Sequence, residues 1–591
     1  MDNSFRAKYI RHGKDYFLSF LAAFAVGCVV GSFFPTTENF YLVALVTLLS
    51  FFIQLICLKT KYGSLIPVGI LLSALFCYAA LQLLAEYTPF LYLLFCVLLG
   101  IALYLFLQAL ASYRPSARAM RHISIGILLC AIGVFWILFS LIAVLRVKTY
   151  TSVCFDFGIF CQMFHSMREG LGPITTLERN TLLSHFSIHF SPIYYLMLPF
   201  YVLFPSPMTL AVLQILIVGA SVLPAYLLCR QKGLSVGISS VLSAAILLHP
   251  ALGGGCLYDL HENCFLTFFL LFLFYFWEKN RIPAAYICAA LVMCVKEDAP
   301  VYVAFAALYF FATAFSSTPQ QKKKKLLGSL GLFGVAIGVF LLVTTLMRVY
   351  GHGIMTNRYE NLIGSSGSLA DLLSLVVRDP AAMLRALLNN SEKLTYLLCV
   401  LLPLSILPLF TKKWERLLLF GPLLLINLLP DYIYQHKLFF QYSFGSLAFL
   451  VFLAVLNIAD FSYTRQRFTS CCALLFGVLL LFGVLPEKMT VLSQYARHQQ
   501  DYAAVESILA KIPQQASVSA STCYTVPLSA RNTIFCLDQY QNCAYDTEYI
   551  VLDLRWQSGQ DKQAFYEENP AWTRVDFIQG YIAVYHRTSQ P

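Results

Sequence analysis

The sequence predicts an all-α polytopic membrane protein of about fifteen spans, closed by a small C-terminal α/β domain outside the membrane. Three observations carry that reading. Of the 591 residues 59% are hydrophobic and 12% charged, with a mean hydropathy of +0.70; a soluble protein carries roughly 25% charged residues. Basic residues gather in short clusters between apolar runs. Beyond Pro486 the long apolar runs stop and shorter amphipathic patterns replace them. An ordinary cytosolic enzyme, a disordered chain and a secreted disulfide scaffold are all excluded.

A spanning helix needs about 17–25 apolar residues. Such runs lie near 16–35, 40–58, 65–84, 88–112 and 122–145. They continue near 208–229, 235–249, 264–277, 282–295, 299–316, 326–348, 393–411, 416–430, 438–458 and 468–486. Counted from the inside, this order puts the clusters at Arg6–Lys14, Lys59–Lys61, Arg114–Arg121, Arg230–Lys232, Lys279–Arg281, Lys322–Lys325, Lys412–Arg416 and Arg465–Arg467 on the cytoplasmic face. That is the positive-inside pattern. The net charge of +11 is therefore a topology signal, and no nucleic-acid partner is expected. The N-terminus is expected in the cytoplasm and the C-terminal domain outside. The basic start resembles a signal peptide, but without a good small-residue cleavage site it reads as an uncleaved first span.

Three regions follow from this order: a four-span extension over 1–115, a core over 116–486 with an outer loop at 146–207, and the α/β domain over 487–591. Pro192–Phe204 is apolar but too short to cross, and reads as a juxtamembrane or re-entrant helix on the outer face. The short runs at 235–249, 264–277 and 282–295 suit helices around a cavity open to the outside. In the tail, Ala503, Val505, Ile508, Leu509 and Ile512 have helical spacing. Thr533–Leu537 and Tyr549–Leu554 read as strands, and Val575–Ile578 with Tyr581–Tyr585 as a hairpin turning at Gln579-Gly580. Most of the 18 cysteines stand singly in apolar runs as small hydrophobes; Cys523, Cys536 and Cys543 could include one disulfide.

The expected outer loops collect the unusual residues. Asp156 lies between Phe155 and Phe157, where an acid is costly unless it is solvated, paired or used; a helix N-cap is the alternative. His185 and His189 would share a face if helical and could then hold a metal, although Pro192 close behind argues for a loop. Asp259, His261, Glu262, Lys296, Glu297, Asp298, Arg358, His436 and Lys437 also fall on this side. Acids here could act as general base or bind a divalent cation (Mg or Mn), with Asp156, His185 and His189 as candidate ligands. Lys and Arg could neutralise a lipid-linked phosphate. Segregation to one face is less expected of a transporter, whose polar sites cluster near the midplane.

The strings Phe155–Phe160 with Gln162, His189–Pro192, Tyr258–Glu262, Lys296–Asp298 and Arg358-Tyr359 together resemble an uncharacterised family of predicted bacterial membrane proteins. That family looks like a branch of the GT-C glycosyltransferases. The resemblance covers roughly residues 122–590 and leaves the first four spans outside it. It implies a multi-pass protein of the bacterial plasma membrane, a polyprenyl-phosphate sugar donor, and a glycan, lipid or protein acceptor on the outer face, amid membrane lipids. It implies Asp156 as general base or metal ligand, with Lys296 and Arg358 stabilising the departing phosphate. Gln162, His189, Asp259, His261, Glu262, Glu297, Asp298, Tyr359, His436 and Lys437 would contribute to substrate binding. His185 and His189 depart from any GT-C metal motif. A transporter or flippase, or a non-catalytic lipid-binding homologue, is the alternative.

Overall fold

The computed structural model describes residues 15–28, 39–58, 67, 70–71, 116–351, 358–364, 369–388, 390–484, 486–539 and 546–588. Nearly all of the third and fourth expected spans lie outside the described residues, as do the basic clusters at Arg6–Lys14 and Lys59–Lys61, and Arg114, Asn357 and Cys543.

The described chain is mostly helical, because long apolar runs must satisfy their backbone polar groups within the segment. Ala117–Lys148 and Pro319–Tyr350 are the longest helices, with exposed apolar side chains such as Ile137, Leu141, Leu341 and Leu342. At the centre, Ser443–Ala459 is apolar all round and is buried from Ser443 to Ile458, as expected of a helix enclosed by others. Cys264–Glu278 packs on it, where Phe274 stacks on Phe452 at 4.3 Å between ring centroids.

Among the described residues three helices are long and apolar enough to cross a membrane, or four if the bent pair Val236–Leu247 and Pro250–Cys256 is one span. Cys264–Glu278, Ile282–Met293, Ala299–Ala314 and Ser443–Ala459 are apolar but shorter. Over the two spans expected at 393–411 and 416–430, helix Ser391–Leu401 gives way to 3₁₀ and π turns at Leu402–Leu404, Leu407–Phe410, Trp414–Phe420 and Leu423–Leu428. Pro403, Pro408 and Pro422 sit in this stretch, and each removes a donor from the helical ladder.

Pro192–Phe204 forms a 3₁₀ turn, Pro192–Leu196, followed by the short helix Leu198–Leu203. Tyr194 and Tyr201 are turned inward, while Tyr195, Leu196, Phe200, Leu203 and Phe204 are exposed. The bend before Pro250–Cys256 brings Gly254 against the Leu438 carbonyl and Gly255 against the Phe444 ring, too close for any side chain. Those contacts press the 438–444 segment onto the chain that leads into Tyr258–Glu262.

Strands β1 (Ile174–Thr175) and β2 (Leu183–Ser184) make a small ribbon in the 149–191 loop. The C-terminal sheet comprises β3 (Val518–Ala520), β4 (Ile534–Cys536), β5 (Tyr549–Asp553), β6 (Trp572–Ile578) and β7 (Ile582–Arg587), ordered β4-β3-β5-β7-β6. β3 runs parallel to β4 and β5, and the β6–β7 hairpin adds antiparallel strands. The hairpin turns at Gly580, whose φ of 72° needs no Cβ penalty there. The edge of β4 is closed by side chains from the 149–191 loop: the Thr176 hydroxyl accepts from Ile534 N–H and donates to its carbonyl, and the Asn180 amide does the same at Cys536. Polar side chains thus take the place of a neighbouring strand, and the sheet and the loop form one packed unit, with Tyr150, Cys154, Ile159 and Leu177 in its core.

Candidate active site

Asp156 sits at the junction of that unit with the helices. Its φ of 69° and ψ of −70° match the rare γ-turn conformation, which is strained for a residue with a side chain. The surroundings hold it there. Cys154 N–H donates to Thr522 Oγ1, Phe157 is buried, and Gly158 lies close to Thr525 Oγ1. The turn directs the carboxylate to Tyr258, whose hydroxyl donates to Oδ2 at 2.8 Å, and to His261 Nε2, 3.2 Å from the same oxygen. Both contacts fall on Oδ2, and the side chain is 18% exposed, so Oδ1 is left for a ligand.

From His261 a chain of buried charge runs inward. His261 Nδ1 is 3.2 Å from Glu262 Oε2, which also accepts from the Tyr194 hydroxyl at 2.8 Å; Glu262 Oε1 is 2.6 Å from Lys296 Nζ. Glu262 and Lys296 are fully buried. Next along the chain, Glu297 meets His189 Nδ1 at 2.9 Å and accepts from Phe190 N–H. Arg146 ion-pairs with Asp259 at 3.2 Å and donates to the carbonyls of Leu257 and Tyr258. Gln214 ties Cys256, Asp259 and His261 together through their backbones. Polar groups buried this deeply must be paired, and these are.

The titration of the groups follows from their partners. Burial pushes the Asp156 carboxyl up, but the charge and hydrogen bond of His261 and the hydrogen bond of Tyr258 leave it below the usual carboxylate range. Burial lowers His261, yet Asp156 and Glu262 outweigh it and raise the imidazole to about 9. Burial raises Glu262, and Lys296 with His261 bring it well below normal. Desolvation lifts Asp259 to about 6 in spite of Arg146. Glu297 is held at about 2, its burial being overcome by His189 and Lys296.

His261 is therefore an imidazolium between two carboxylates at neutral pH. Its folded value lies above the ordinary 6.5, so its contribution to stability is complete below about pH 6.5 and is lost as pH rises through about 9. The stability difference between the native chain and a His261→Gln variant is expected to shrink over that window by about 3 kcal/mol. Denaturant melts at pH 6.5 and 9.5 in one detergent test this; a pH-independent difference would contradict the assignment.

A second set of residues faces this chain. The Arg358 guanidinium lies 5.1 Å from the Tyr442 ring centroid and 5.7 Å from that of Tyr432, and it feels the charges of Asp298 and Glu297. Among the described residues no carboxylate is within ion-pair distance of it. The rings continue from Tyr432 to Tyr434, Phe440 and Tyr258. Asp156, His261, Glu262, Lys296, Glu297, Asp298 and Arg358 thus form one constellation.

Other sequence candidates do different work. Gln162 is a structural post: its carbonyl accepts from Thr175, Thr176 and Leu177, and its amide donates to Thr176 and to the Arg531 and Asn532 carbonyls, so none of its polar capacity faces the site. Tyr359 donates to the Leu425 carbonyl within a separate apolar cluster. His436 lies 3.9 Å from Glu392, beside the ion pair of buried Lys393 with exposed Asp431, with Lys437 next to it. His185 and His189 are not on a regular α-helix: a 3₁₀ turn, His185–Ser187, brings their rings to 5.9 Å. His185 Nδ1 is 2.7 Å from Glu178. Among the described residues no group of three or more His, Cys, Asp or Glu is arranged to hold a metal ion; the carboxylates are already matched to His261, Lys296, His189 and Arg146. Asp156, His185 and His189 are therefore not brought together as a ligand set among the described residues. Tyr194, Arg146 and Gln214 were not singled out from sequence, because each lies within an apolar run or at its end.

The fold and site define a helical membrane protein with a buried chain of alternating charge at one end of its bundle and a sheet domain packed over it. The chain belongs to the family described as predicted membrane protein (DUF2079), whose pattern matches residues 146–584. No curated protein matches it. Among solved structures it is similar to ArnT from Cupriavidus metallidurans bound to undecaprenyl phosphate, at 11% identity, covering 77% of this chain and 98% of that one with a TM-score of 0.46. It is also similar to ArnT in the apo state, at 11% identity, covering 76% and 97% with a TM-score of 0.37.

Proposed function

We propose that the chain is an integral membrane glycosyltransferase of the GT-C kind, which moves a sugar from a polyprenyl-phosphate donor to a hydroxyl of a cell-envelope glycan, lipid or protein on the outer face. The observation that carries this reading is Asp156: a carboxylate on strained backbone, fixed through one oxygen, with its side chain still 18% exposed, in one constellation with the aromatic-caged Arg358. Strain of this kind persists at sites where a side chain must be aimed.

In the reaction the acceptor oxygen attacks the anomeric carbon as the bond from that carbon to the phosphate oxygen breaks. The bonding electron pair leaves with the phosphate, and the acceptor proton passes to Asp156 Oδ1. A positioned carboxylate contributes to such a transfer although its basicity is modest. Arg358 meets the charge that grows on the phosphate. Lys296 is neutralised by Glu262, so its part is to hold the carboxylate chain in place.

The test is transfer by the purified protein in vesicles from short-chain prenyl-phosphate hexoses to envelope lipids and glycans. Arg358→Ala is expected to weaken binding of the unglycosylated prenyl phosphate at least tenfold, about 1.4 kcal/mol or more. Intact binding in this variant, or ion-coupled solute flux in place of transfer, would favour the transporter reading.

A further inference from the structure

From Tyr258, which holds Asp156, a row of rings runs to the pair that flanks Arg358. Tyr258 and Phe440 are 4.4 Å apart, Phe440 and Tyr434 4.6 Å, Tyr434 and Tyr432 5.1 Å, and Tyr432 and Tyr442 6.1 Å between centroids. Four of the five are tyrosines, and Tyr432 and Tyr434 keep 40% and 37% of their surface exposed. The segment is held firmly: the Asn427 amide donates to the carbonyls of Gln435 and Tyr442, and Ser446 donates to Asn427. In the same stretch Gln435 Oε1, both ring nitrogens of His436 and Gln441 Oε1 are buried without a hydrogen-bond partner among the described residues.

We infer that this row is a carbohydrate subsite, with a pyranose ring stacked at Tyr434. The inference rests on the transfer reading and adds where the sugar lies. A pyranose offers an apolar face of C–H groups and a rim of hydroxyls, so it needs rings that are flat and apolar on the face and polar at the edge. Tyrosine supplies both; a polyprenyl tail would make no use of the phenol hydroxyls. The order of groups also fits. In any transfer the sugar lies between the attacking hydroxyl and the departing phosphate, and here the row runs from the tyrosine that holds the carboxylate suited to the hydroxyl to the pair that flanks the guanidinium suited to the phosphate.

The sugar on this row could belong to the donor or to a glycan acceptor, and three probes separate them: a short-chain prenyl phosphate, the same lipid carrying a hexose, and a free oligosaccharide, each titrated against the full-length protein in nanodiscs. If the row takes the donor's sugar, Tyr434→Ala weakens the glycosylated lipid about tenfold and leaves the bare lipid within about twofold. If it takes the acceptor, the loss appears with the oligosaccharide instead. Tyr434→Phe should keep most of the stacking in either case. Equal loss with the bare and glycosylated lipids would make the row a lipid site and overturn the inference, as would no loss with any probe. Failure of Arg358→Ala to weaken the bare lipid would overturn the transfer reading itself, which is a separate result.

Discussion

Replacing Asp156 by Asn is expected to lower sugar transfer by about 10²–10⁴-fold, the range for removing a positioned base, while binding of the prenyl-phosphate lipid stays within about twofold. The change is isosteric, and Asn tolerates positive φ as readily as Asp, so the γ-turn at φ 69° is retained. Tyr258 can still donate to the amide oxygen. What is removed is the charge 3.2 Å from His261 Nε2 and the capacity to accept the acceptor proton. The imidazole, raised to about 9 by two carboxylates, should then titrate lower, and chemical shifts of His261 would report it separately from turnover. Single-turnover transfer measured beside lipid binding is the deciding experiment. Transfer at the native rate would reject Asp156 as base, and equal loss of transfer and lipid binding would make it a binding group only.

How far the sequence reached depends on whether a feature is written locally. The hairpin at Gly580, the strands near 534 and 549 and the short helix after Pro192 all declare themselves through residues adjacent in the chain. The three-residue strand Val518–Ala520 is too short to show a period, and it exists because β4 and β5 flank it. Hydropathy alone marks two spans at 393–411 and 416–430, and it does not register that Pro403, Pro408 and Pro422 interrupt the ladder there. At the site, the charges at 156, 259–262 and 296–298 were visible because acids and lysines are rare in apolar surroundings. Their pairing was not. Glu262 is joined to Tyr194 and Lys296, 68 and 34 positions away in the chain, and no local pattern encodes such partners. Gln162 shows the converse: a polar residue in an apolar setting invites a functional reading, and its actual partners are strand ends and backbone.

The largest loss of stability is expected from breaking the Glu262–Lys296 pair on one side only. Both side chains are almost wholly excluded from solvent, at 0% and 2% exposure, and 2.6 Å apart. Lys296→Met leaves Glu262 charged in a dry site with Tyr194, His261 and the more distant His189 to face it, at an expected cost of about 3–5 kcal/mol. Glu262→Gln strands the ammonium in the same way, although Glu297 nearby relieves it in part. The double change Glu262→Gln with Lys296→Met removes both charges and keeps the volume, so it should recover most of the loss, since a buried pair contributes less than its halves cost when separated. Denaturant melts of the four proteins in one detergent give the coupling energy directly. If both single variants lay within about 1 kcal/mol of the native chain, the charges would have to be hydrated, and the dry chain from His261 to Lys296 could not be what fixes His261 against Asp156. Transfer by a stable double variant would carry the argument one step further. With the charges gone but the fold intact, lost turnover would mean that the alternation of charge sets the state of His261, whereas retained turnover would confine Glu262 and Lys296 to holding the helices together.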